Sequence, residues 1–349
     1  LIAPKTFKGR LAMTALTNRR WLLAARPSGN LKDSDFTLDT ETVPEPKDGE
    51  FIIKVTHLSF DPTQRGWIGG DTYLPAVKIG EVVRAGGAGE VIASKNDKFP
   101  VGMKVQGATG WQEYCLTDGK GWWPTVPLHP GLSPELALGL FGTTGITAYF
   151  GLLDIGQPKA GDVVLVSGAA GATGSVVGQI AKAMGCTAIG IAGGKTKCDW
   201  VVETAGFDAC IDYKSEPVAK RIKELAPKGV NIVFENVGGD ILDAALANLA
   251  LKARVILCGG ISSYNAASAA EIQGLKNYMQ LTVMRARMEG FIVLDYAPRF
   301  GEAAAALGKW MAEGKVKSIE DVQEGFENIP ATLRRLFEGK NFGKQLLRL

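Results

Sequence analysis

The sequence contains few of the residues that bind catalytic metals. Only two histidines and five cysteines occur among its 349 residues. His57 and His129 belong to no H-E-x-x-H cluster, and no two cysteines have C-x-x-C spacing. This scarcity argues against a catalytic zinc ion, a structural zinc cluster and a disulfide framework.

Long apolar runs and a strong net charge are also missing. No apolar run reaches the roughly 18 residues needed to span a bilayer. The formal net charge is only +3, and no basic segment is interleaved with aromatic residues. The G-x-S-x-G motif of serine hydrolases does not occur. We therefore expect a cytoplasmic enzyme that binds neither nucleic acid nor membrane. Residues 1–12 lack a signal-peptide core, and Met13 is a candidate native start after an added leader.

Glycine, in contrast, is abundant, with 44 residues, and one glycine-rich segment is the strongest motif. The apolar run 163–166 leads into the glycine-rich segment 168–174 and then into the helical pattern 175–181. A strand, a tight turn and a helix in this order bind a pyrophosphate through free N–H groups and the helix dipole. Because Ala169 replaces the first glycine of G-x-G-x-x-G, the turn by itself is equally compatible with a simple tight connection.

The segments after this turn support the dinucleotide interpretation. Helical patterns alternate with short apolar runs, which is typical of a doubly wound parallel sheet. The predicted strands are 187–192, 209–212, 231–234 and 254–258, and the predicted helices are 197–205, 217–225 and 240–251.

The end of the second predicted strand indicates which dinucleotide binds. NAD sites usually place an acidic residue there to bind the ribose hydroxyls. Here residues 192–197 read Ala-Gly-Gly-Lys-Thr-Lys, and the first acid is Asp199. Lys195 and Lys197 suit a 2′-phosphate, which a carboxylate would repel. We predict NADPH, the alternative being that these lysines are only solvated.

The two ends of the chain have a different pattern. Short apolar runs at 51–58, 89–93, 104–105 and 113–116 are separated by Gly, Pro and Asp, which is typical of a small barrel or sandwich. The strand-like end, 343–349, is expected to return to this domain. We predict a β-rich domain formed by 1–136 and 318–349 and a nucleotide-binding domain formed by 137–317. Within the latter, 276–288 is predicted to be a helix that faces either a partner or the core.

Seven segments match a known family in order along nearly the whole chain. They are SFDPTQRG at 59–66, GEVVRAGGAGEV at 80–91, GTTGITAY at 142–149, AAGATGS at 169–175, NVGG at 236–239, CGGISSYN at 258–265 and NFGK at 341–344. The chain resembles the zinc-independent branch of the medium-chain dehydrogenase/reductase superfamily, in the group of prostaglandin, 2-alkenal and curcumin reductases. Where the zinc branch has Gly-His-Glu, this chain has Gly80-Glu81-Val82.

The resemblance implies an α/β fold, with a Rossmann-type doubly wound parallel sheet and a GroES-like β-rich barrel domain, and it implies a homodimer. It also implies a function, the NADPH-dependent reduction of the C=C bond of α,β-unsaturated aldehydes and ketones. The cofactor site then comprises the pyrophosphate turn, the 2′-phosphate end and the nicotinamide end. Its residues are Gly171, Ala172, Thr173 and Gly174; Lys197 and Tyr213, with Lys195 added from its charge; and Asn236, Cys258, Gly259, Gly260, Ile261, Ser262, Ser263, the strand residues Phe291, Ile292 and Val293, and Asn341.

Tyr264 is the candidate catalytic residue. Hydride addition to the β-carbon of an enone creates negative charge on the substrate oxygen, so the protein must supply a hydrogen-bond donor. A phenol with an ordinary pKa of about 10 is protonated at neutral pH and can donate. Without the resemblance, a loop tyrosine is more often a packing residue.

The substrate end is less well defined by the sequence. The family commonly has Tyr after Asp-Pro, whereas this chain has Thr63 after Asp61-Pro62, which indicates a wider or more polar pocket. Phe60, Thr63 and Trp111 are the candidate pocket residues. Two alternatives remain open, a quinone reductase of the same superfamily and a non-catalytic NADPH-binding protein.

Overall fold

A computed structural model describes residues 16–349, which contain two large β-sheets with separate hydrophobic cores. The expected leader at residues 1–12 and the candidate start Met13 lie outside the described residues. Within the described part, no helix is both long and apolar enough to cross a bilayer.

Fifteen strands are present in residues 16–349. They are β1 (Thr17–Leu23), β2 (Phe36–Thr42), β3 (Phe51–Ser59), β4 (Gly86–Ser94), β5 (Lys104–Ala108), β6 (Tyr114–Thr117), β7 (Val126–Pro127), β8 (Val163–Ser167), β9 (Thr187–Ala192), β10 (Ala209–Asp212), β11 (Val230–Glu235), β12 (Leu249–Leu257), β13 (Arg287–Gly290), β14 (Glu320–Glu324) and β15 (Lys344–Arg348).

Ten α-helices lie in the same range. They are α1 (Thr63–Gly69), α2 (Pro134–Leu138), α3 (Thr143–Phe150), α4 (Ala172–Ala183), α5 (Lys195–Glu203), α6 (Val218–Leu225), α7 (Gly239–Leu246), α8 (Gln280–Val283), α9 (Phe300–Ala312) and α10 (Ile329–Phe337). A π-helical turn, Gly151–Gly156, continues α3, and short 3₁₀ turns include Ile261–Ser263 and Val293–Arg299.

The nucleotide-binding half contains a six-stranded parallel sheet in the order β10-β9-β8-β11-β12-β13. Side chains of β8 alternate between two cores, with Val164 and Val166 in one and Leu165 in the other. Burial on both faces explains why these strands are uniformly apolar in sequence. The strand order reverses between β8 and β11, and ligands bind at such a switch point in doubly wound sheets.

The β-rich half contains a second sheet in the order β14-β15-β3-β4-β5-β7, with β6 also paired to β3. The last strand, β15, runs antiparallel to β3, so the chain end returns to this half as expected. The predicted fold class is therefore confirmed. The domain boundaries at 136/137 and 317/318 stay a prediction.

Three predicted elements of the nucleotide-binding half were wrong. The helix predicted over 240–251 ends at Leu246, because Leu249 already pairs with Val230 of the neighbouring strand. The helix predicted over 276–288 is reduced to the single turn α8, since the chain then extends to pair with β12 as β13. Residues 291–293 were predicted as strand, but β13 ends at Gly290 and the chain leaves the sheet there.

Candidate active site

A cavity of about 820 Å³ lies between the two halves of the molecule. It opens at the carboxyl ends of β8 and β11, where the strand order of the parallel sheet reverses. Residues of the β-rich half, including Phe60 and Trp123, line its other side. The architecture therefore places both halves around one site.

The glycine turn forms the floor of one end of the cavity. Gly168 has a positive φ of 62°, and Gly171 precedes the first turn of α4. A Cβ on Gly174 would lie 2.3 Å from the carbonyl oxygen of Gly168, so the helix approaches the turn only with glycine here. Gly171, Ala172, Thr173 and Gly174 all line the cavity, as predicted. A backbone cradle at the start of a twelve-residue helix fits a pyrophosphate.

Lys197 lies beyond this turn and faces the cavity, together with Tyr213 and Lys214. Its Nζ donates to the carbonyl oxygen of Gly339 at 2.9 Å. Burial, reinforced by the charge of Lys214, lowers the pKa of Lys197. An anion bound here would stabilise the charged form of Lys197 and so oppose the lowering of its pKa. This end of the cavity therefore fits a phosphate group.

The structure does not bring Lys195, the residue added from its charge, to the cavity. It is exposed, it does not line the cavity, and its Nζ pairs with Oδ2 of Asp199 at 2.6 Å, one turn later in α5. Lys214 lines the cavity and was not among the predicted residues. The signal in the sequence was its position next to Tyr213, directly after the third strand of the sheet.

Asn236 lines the cavity beside the switch point and is held by the end of β8. Its Nδ2 donates to the carbonyl oxygen of Ser167 at 2.7 Å, and its N–H donates to the Ser167 hydroxyl at 2.8 Å. The buried Glu235 organises the following turn, since its Oε1 accepts from the N–H groups of Val237 and Gly238, each at 2.6 Å. Sequence reasoning missed Glu235, because nothing local distinguishes it from a solvated carboxylate.

Tyr264 lines the cavity at the end of a 3₁₀ turn. Its hydroxyl oxygen accepts a hydrogen bond from the N–H of Gly260 at 3.1 Å. Because the oxygen is the acceptor in this contact, the phenolic proton is left for donation to another group. Burial raises the pKa of Tyr264, which keeps the phenol protonated at neutral pH.

The remaining predicted cofactor residues divide into two groups. Gly260 and Ser263 do not line the cavity; the Ser263 hydroxyl donates to the carbonyl oxygen of Gly260 at 2.8 Å and shapes the turn. Burial raises the pKa of Cys258 to about 12, so this thiol is neutral. The residues that do line the cavity are Cys258, Gly259, Ile261, Ser262, Phe291, Ile292, Val293 and Asn341.

At the opposite end, two of the three predicted pocket residues line the cavity and the third does not. Phe60 and Thr63 line the cavity. Trp111 was wrongly assigned, because it is fully buried in the β-rich core, where its ring lies 5.1 Å from that of Phe36 and 5.8 Å from that of Phe60. In the sequence, a tryptophan of the core looks the same as one that lines a pocket. Only the packing of the folded chain distinguishes these two roles.

Aromatic side chains from a distant loop complete this end and were missed. Trp122 and Trp123 line the cavity, and the Trp122 ring lies 4.9 Å from the Trp67 ring, edge to face. The adjacent pair of tryptophans between Gly121 and Pro124 was the available signal. A Cβ on Gly86 would lie 1.8 Å from the Trp123 ring, so this glycine makes room for the indole.

The position after Asp61-Pro62 has a polar partner in this structure. The Thr63 hydroxyl lies 2.8 Å from the hydroxyl of Tyr73, which also lines the cavity. Asp61 itself is paired with Lys344, whose buried Nζ lies 2.5 Å from its Oδ1. The substrate end thus combines apolar walls with a pair of hydroxyl groups.

Metal ligands do not converge in the part of the chain that the structure describes. No group of three or more His, Cys, Asp or Glu side chains there has the arrangement of a metal site. His57 instead faces Glu135, with Nε2 and Oε1 3.2 Å apart, and burial lowers the pKa of His57.

Comparisons with known proteins agree with this geometry. Residues 19–125 match a family model described as the N-terminal domain of oxidoreductase, and residues 172–309 match one described as zinc-binding dehydrogenase. The NADPH-dependent curcumin reductase of Escherichia coli is 40% identical over 338 residues, which cover 95% of this chain and 97% of that protein. This chain belongs to the zinc-independent medium-chain dehydrogenases/reductases.

Other members of this family give the same result. Prostaglandin reductase 1 of Bos taurus is 36% identical and covers 95% of this chain and 98% of its own length. The crystal structure of CurA from Vibrio vulnificus in complex with NADPH superposes with a TM-score of 0.89 at 43% identity, covering 95% of this chain and 98% of that chain.

Proposed function

We propose that this protein is an NADPH-dependent reductase of the C=C bond of α,β-unsaturated aldehydes and ketones and that it works without zinc. The observation that carries this proposal is the composition of the cavity. The glycine turn before α4 and Lys197 lie at one end and aromatic walls lie at the other. The phenol of Tyr264, whose oxygen accepts from the N–H of Gly260, lines the same cavity.

The chain's residues would act by binding and by stabilising charge. With NADPH bound, the chemistry supplied is hydride transfer to the β-carbon of the substrate. The phenol of Tyr264 donates a hydrogen bond to the carbonyl oxygen and stabilises the negative charge that develops there. Solvent water is the proposed source of the proton for the α-carbon. No protein nucleophile is needed, which agrees with the neutral thiol of Cys258.

The cofactor preference follows from the charges at the far end of the cavity. Lys197 and Lys214 offer ammonium groups to a 2′-phosphate, and Lys197 is partly desolvated, which strengthens a charge-assisted hydrogen bond. The preferred cofactor is therefore NADPH over NADH.

The substrate class follows from the aromatic walls. Trp67 lies edge to face with both Trp122 and Tyr73, at ring distances of 4.9 and 6.3 Å. The faces and edges of such aromatic rings bind flat conjugated molecules through stacking contacts. Aryl enones are therefore expected to be better substrates than linear alkenals.

The test is the consumption of NADPH with 4-phenyl-3-buten-2-one, with 2-octenal and with a naphthoquinone, each repeated with NADH. The proposal expects formation of the saturated ketone, identified by mass spectrometry, and faster turnover with NADPH. Turnover of the quinone without enone reduction would favour a quinone reductase. NADPH binding without turnover of any acceptor would favour a non-catalytic protein.

We further propose a homodimer that is located in the cytoplasm. β13 is an edge strand of the parallel sheet, and the exposed apolar side chains Tyr278, Met279 and Val283 precede it in the chain. An unpaired edge beside apolar side chains is a typical surface for strand pairing between subunits. Light scattering should give twice the 37.1 kDa chain mass, whereas a monomer mass would contradict the dimer. Cell fractionation tests the location.

A further inference from the structure

A hydrogen-bond network attaches the loop that carries Tyr264 to the β-rich half of the molecule. Asn265, the next residue, accepts a hydrogen bond from Nε of Arg65 at 3.1 Å. Its Nδ2 donates to Oδ1 of Asn30 at 3.2 Å. Arg65 belongs to α1, and Asn30 precedes β2, so both partners of the Asn265 amide belong to the other half.

Arg65 makes this attachment part of a buried structure. Arg65 is only 5% exposed, and its Nη2 donates to the carbonyl oxygens of Pro27 and Gly29, each at 3.2 Å. All three acceptors of these hydrogen bonds are neutral oxygens. A buried guanidinium N–H that loses its acceptor is costly, so the bond to Asn265 is strongly maintained.

Asn265 and Arg65 do not line the cavity, whereas Tyr264 does. Within its own half, Tyr264 is held by the 3₁₀ turn, where its hydroxyl accepts from Gly260. The walls of the substrate end come from the other half, from residues such as Thr63 and Trp67 of the same helix, α1, that carries Arg65. The distance between Tyr264 and a bound substrate therefore depends on how the two halves are joined.

We propose that Asn265 is a positioning residue, which Arg65 and Asn30 hold so that the Tyr264 phenol is aligned with the substrate end of the cavity. This proposal rests on the proposed function for its kinetic consequence. Its structural consequence, a loop that is ordered by the other half of the molecule, is independent of any reaction.

The kinetic test is a double-mutant cycle with 4-phenyl-3-buten-2-one and saturating NADPH. Asn265→Ala should lower kcat by roughly 10- to 100-fold, because small misplacements of a catalytic group have effects of this size. In a Tyr264→Phe background, the same substitution should change kcat less than about 2-fold, since residues that act as a unit are not additive. Equal losses in both backgrounds would overturn the proposal.

Three variants control for a merely structural effect. Asn248→Ala removes two amide hydrogen bonds, to the carbonyl oxygens of Ala219 and Ala244, at a site outside the cavity, and should leave kcat unchanged. Asn265→Asp keeps an acceptor for Arg65 and should recover most of the lost kcat. Asn30 is exposed, so its replacement by alanine is not expected to disturb folding. Asn30→Ala should lower kcat by about 2- to 5-fold when Tyr264 is present and should not lower it in the Tyr264→Phe background. A failure of Asn265→Asp to recover kcat, or an Asn30→Ala effect that persists without Tyr264, would contradict the proposal.

Hydrogen exchange of the cofactor-free protein gives a readout that does not depend on activity. Asn265→Ala should speed amide exchange in residues 259–264, and Asn248→Ala should not. Unchanged exchange in Asn265→Ala would overturn the proposal even if the wild type reduced enones. Conversely, a wild type without enone reduction but with the expected exchange would overturn the proposed function and retain the attachment.

Discussion

At the cofactor end of the cavity the wall is largely backbone, whereas at the substrate end it consists of large side chains from separate segments. Gly171 to Gly174 are consecutive residues at the start of α4. Trp67, Tyr73 and Trp123 come from α1 and two different loops. The first arrangement suits a cofactor whose pyrophosphate is always the same, and the second allows substrate preference to change by substitution of single side chains.

The largest effect is expected where the backbone approaches most closely. Gly174→Ala would place a methyl group 2.3 Å from the Gly168 carbonyl oxygen. We expect a loss of about 2–3 kcal/mol in the free energy of unfolding, measured by urea denaturation, and weaker NADPH binding. Gly301→Ala in α9 is the control, since open space surrounds that position and alanine favours a helix. Wild-type NADPH affinity in Gly174→Ala would contradict a close-packed turn.

Tyr264→Phe tests the phenol that lines the cavity. Loss of a donor to a developing oxyanion should lower kcat for enone reduction by roughly 100-fold, with little change in NADPH affinity. Because burial raises the pKa of Tyr264, the wild-type kcat should decline only above the ordinary tyrosine value of about 10, and the variant should lack this decline.

Tyr114→Phe in β6, outside the cavity, is the matched control for that substitution. If Tyr264→Phe retained wild-type kcat and KM, the oxygen charge would have to be stabilised by another donor.

The two lysines of α5 provide an internal comparison at the cofactor end. Lys197→Ala should weaken NADPH binding by about 1.5–3 kcal/mol, which is the range for a charge-assisted hydrogen bond, and should leave NADH binding unchanged. Lys195→Ala should change neither, because Lys195 is paired with Asp199 outside the cavity. Titration of cofactor fluorescence measures all four affinities. Equal losses of NADPH and NADH affinity in Lys197→Ala would show that Lys197 does not bind the 2′-phosphate.

The smallest effect is expected at the substrate end. Trp123→Ala removes one aromatic wall and should raise KM for an aryl enone by an amount corresponding to about 0.5–1.5 kcal/mol. KM for 2-octenal should change less, since a linear chain gains less from an aromatic face. A larger change in KM for 2-octenal than for the aryl enone would show that the aromatic side chains distinguish substrates by chain length and not by planarity.

The same contrast explains which features could be predicted from the sequence. The glycine turn, the alternating strands and helices and the strand character of the last segment depend on residues that are close together in the chain, and these predictions were confirmed in outline. Helix 240–251 was overextended because Leu249 and Ala250 have apolar side chains that suit either a helix or a buried strand. Pairing with Val230 of the preceding strand, β11, determines the outcome.

The sequence by itself predicted the glycine turn between a strand and a helix, the cofactor NADPH and the family, because each prediction depends on a local order of residues. Only the tertiary structure decided that Lys197 faces the cavity while Lys195 pairs with Asp199, and that Trp123 is a wall while Trp111 is core. It also joined Arg65 to Asn265 across 200 residues of chain. Residues of one type are chemically equivalent in sequence, and packing of distant segments assigns them their different roles.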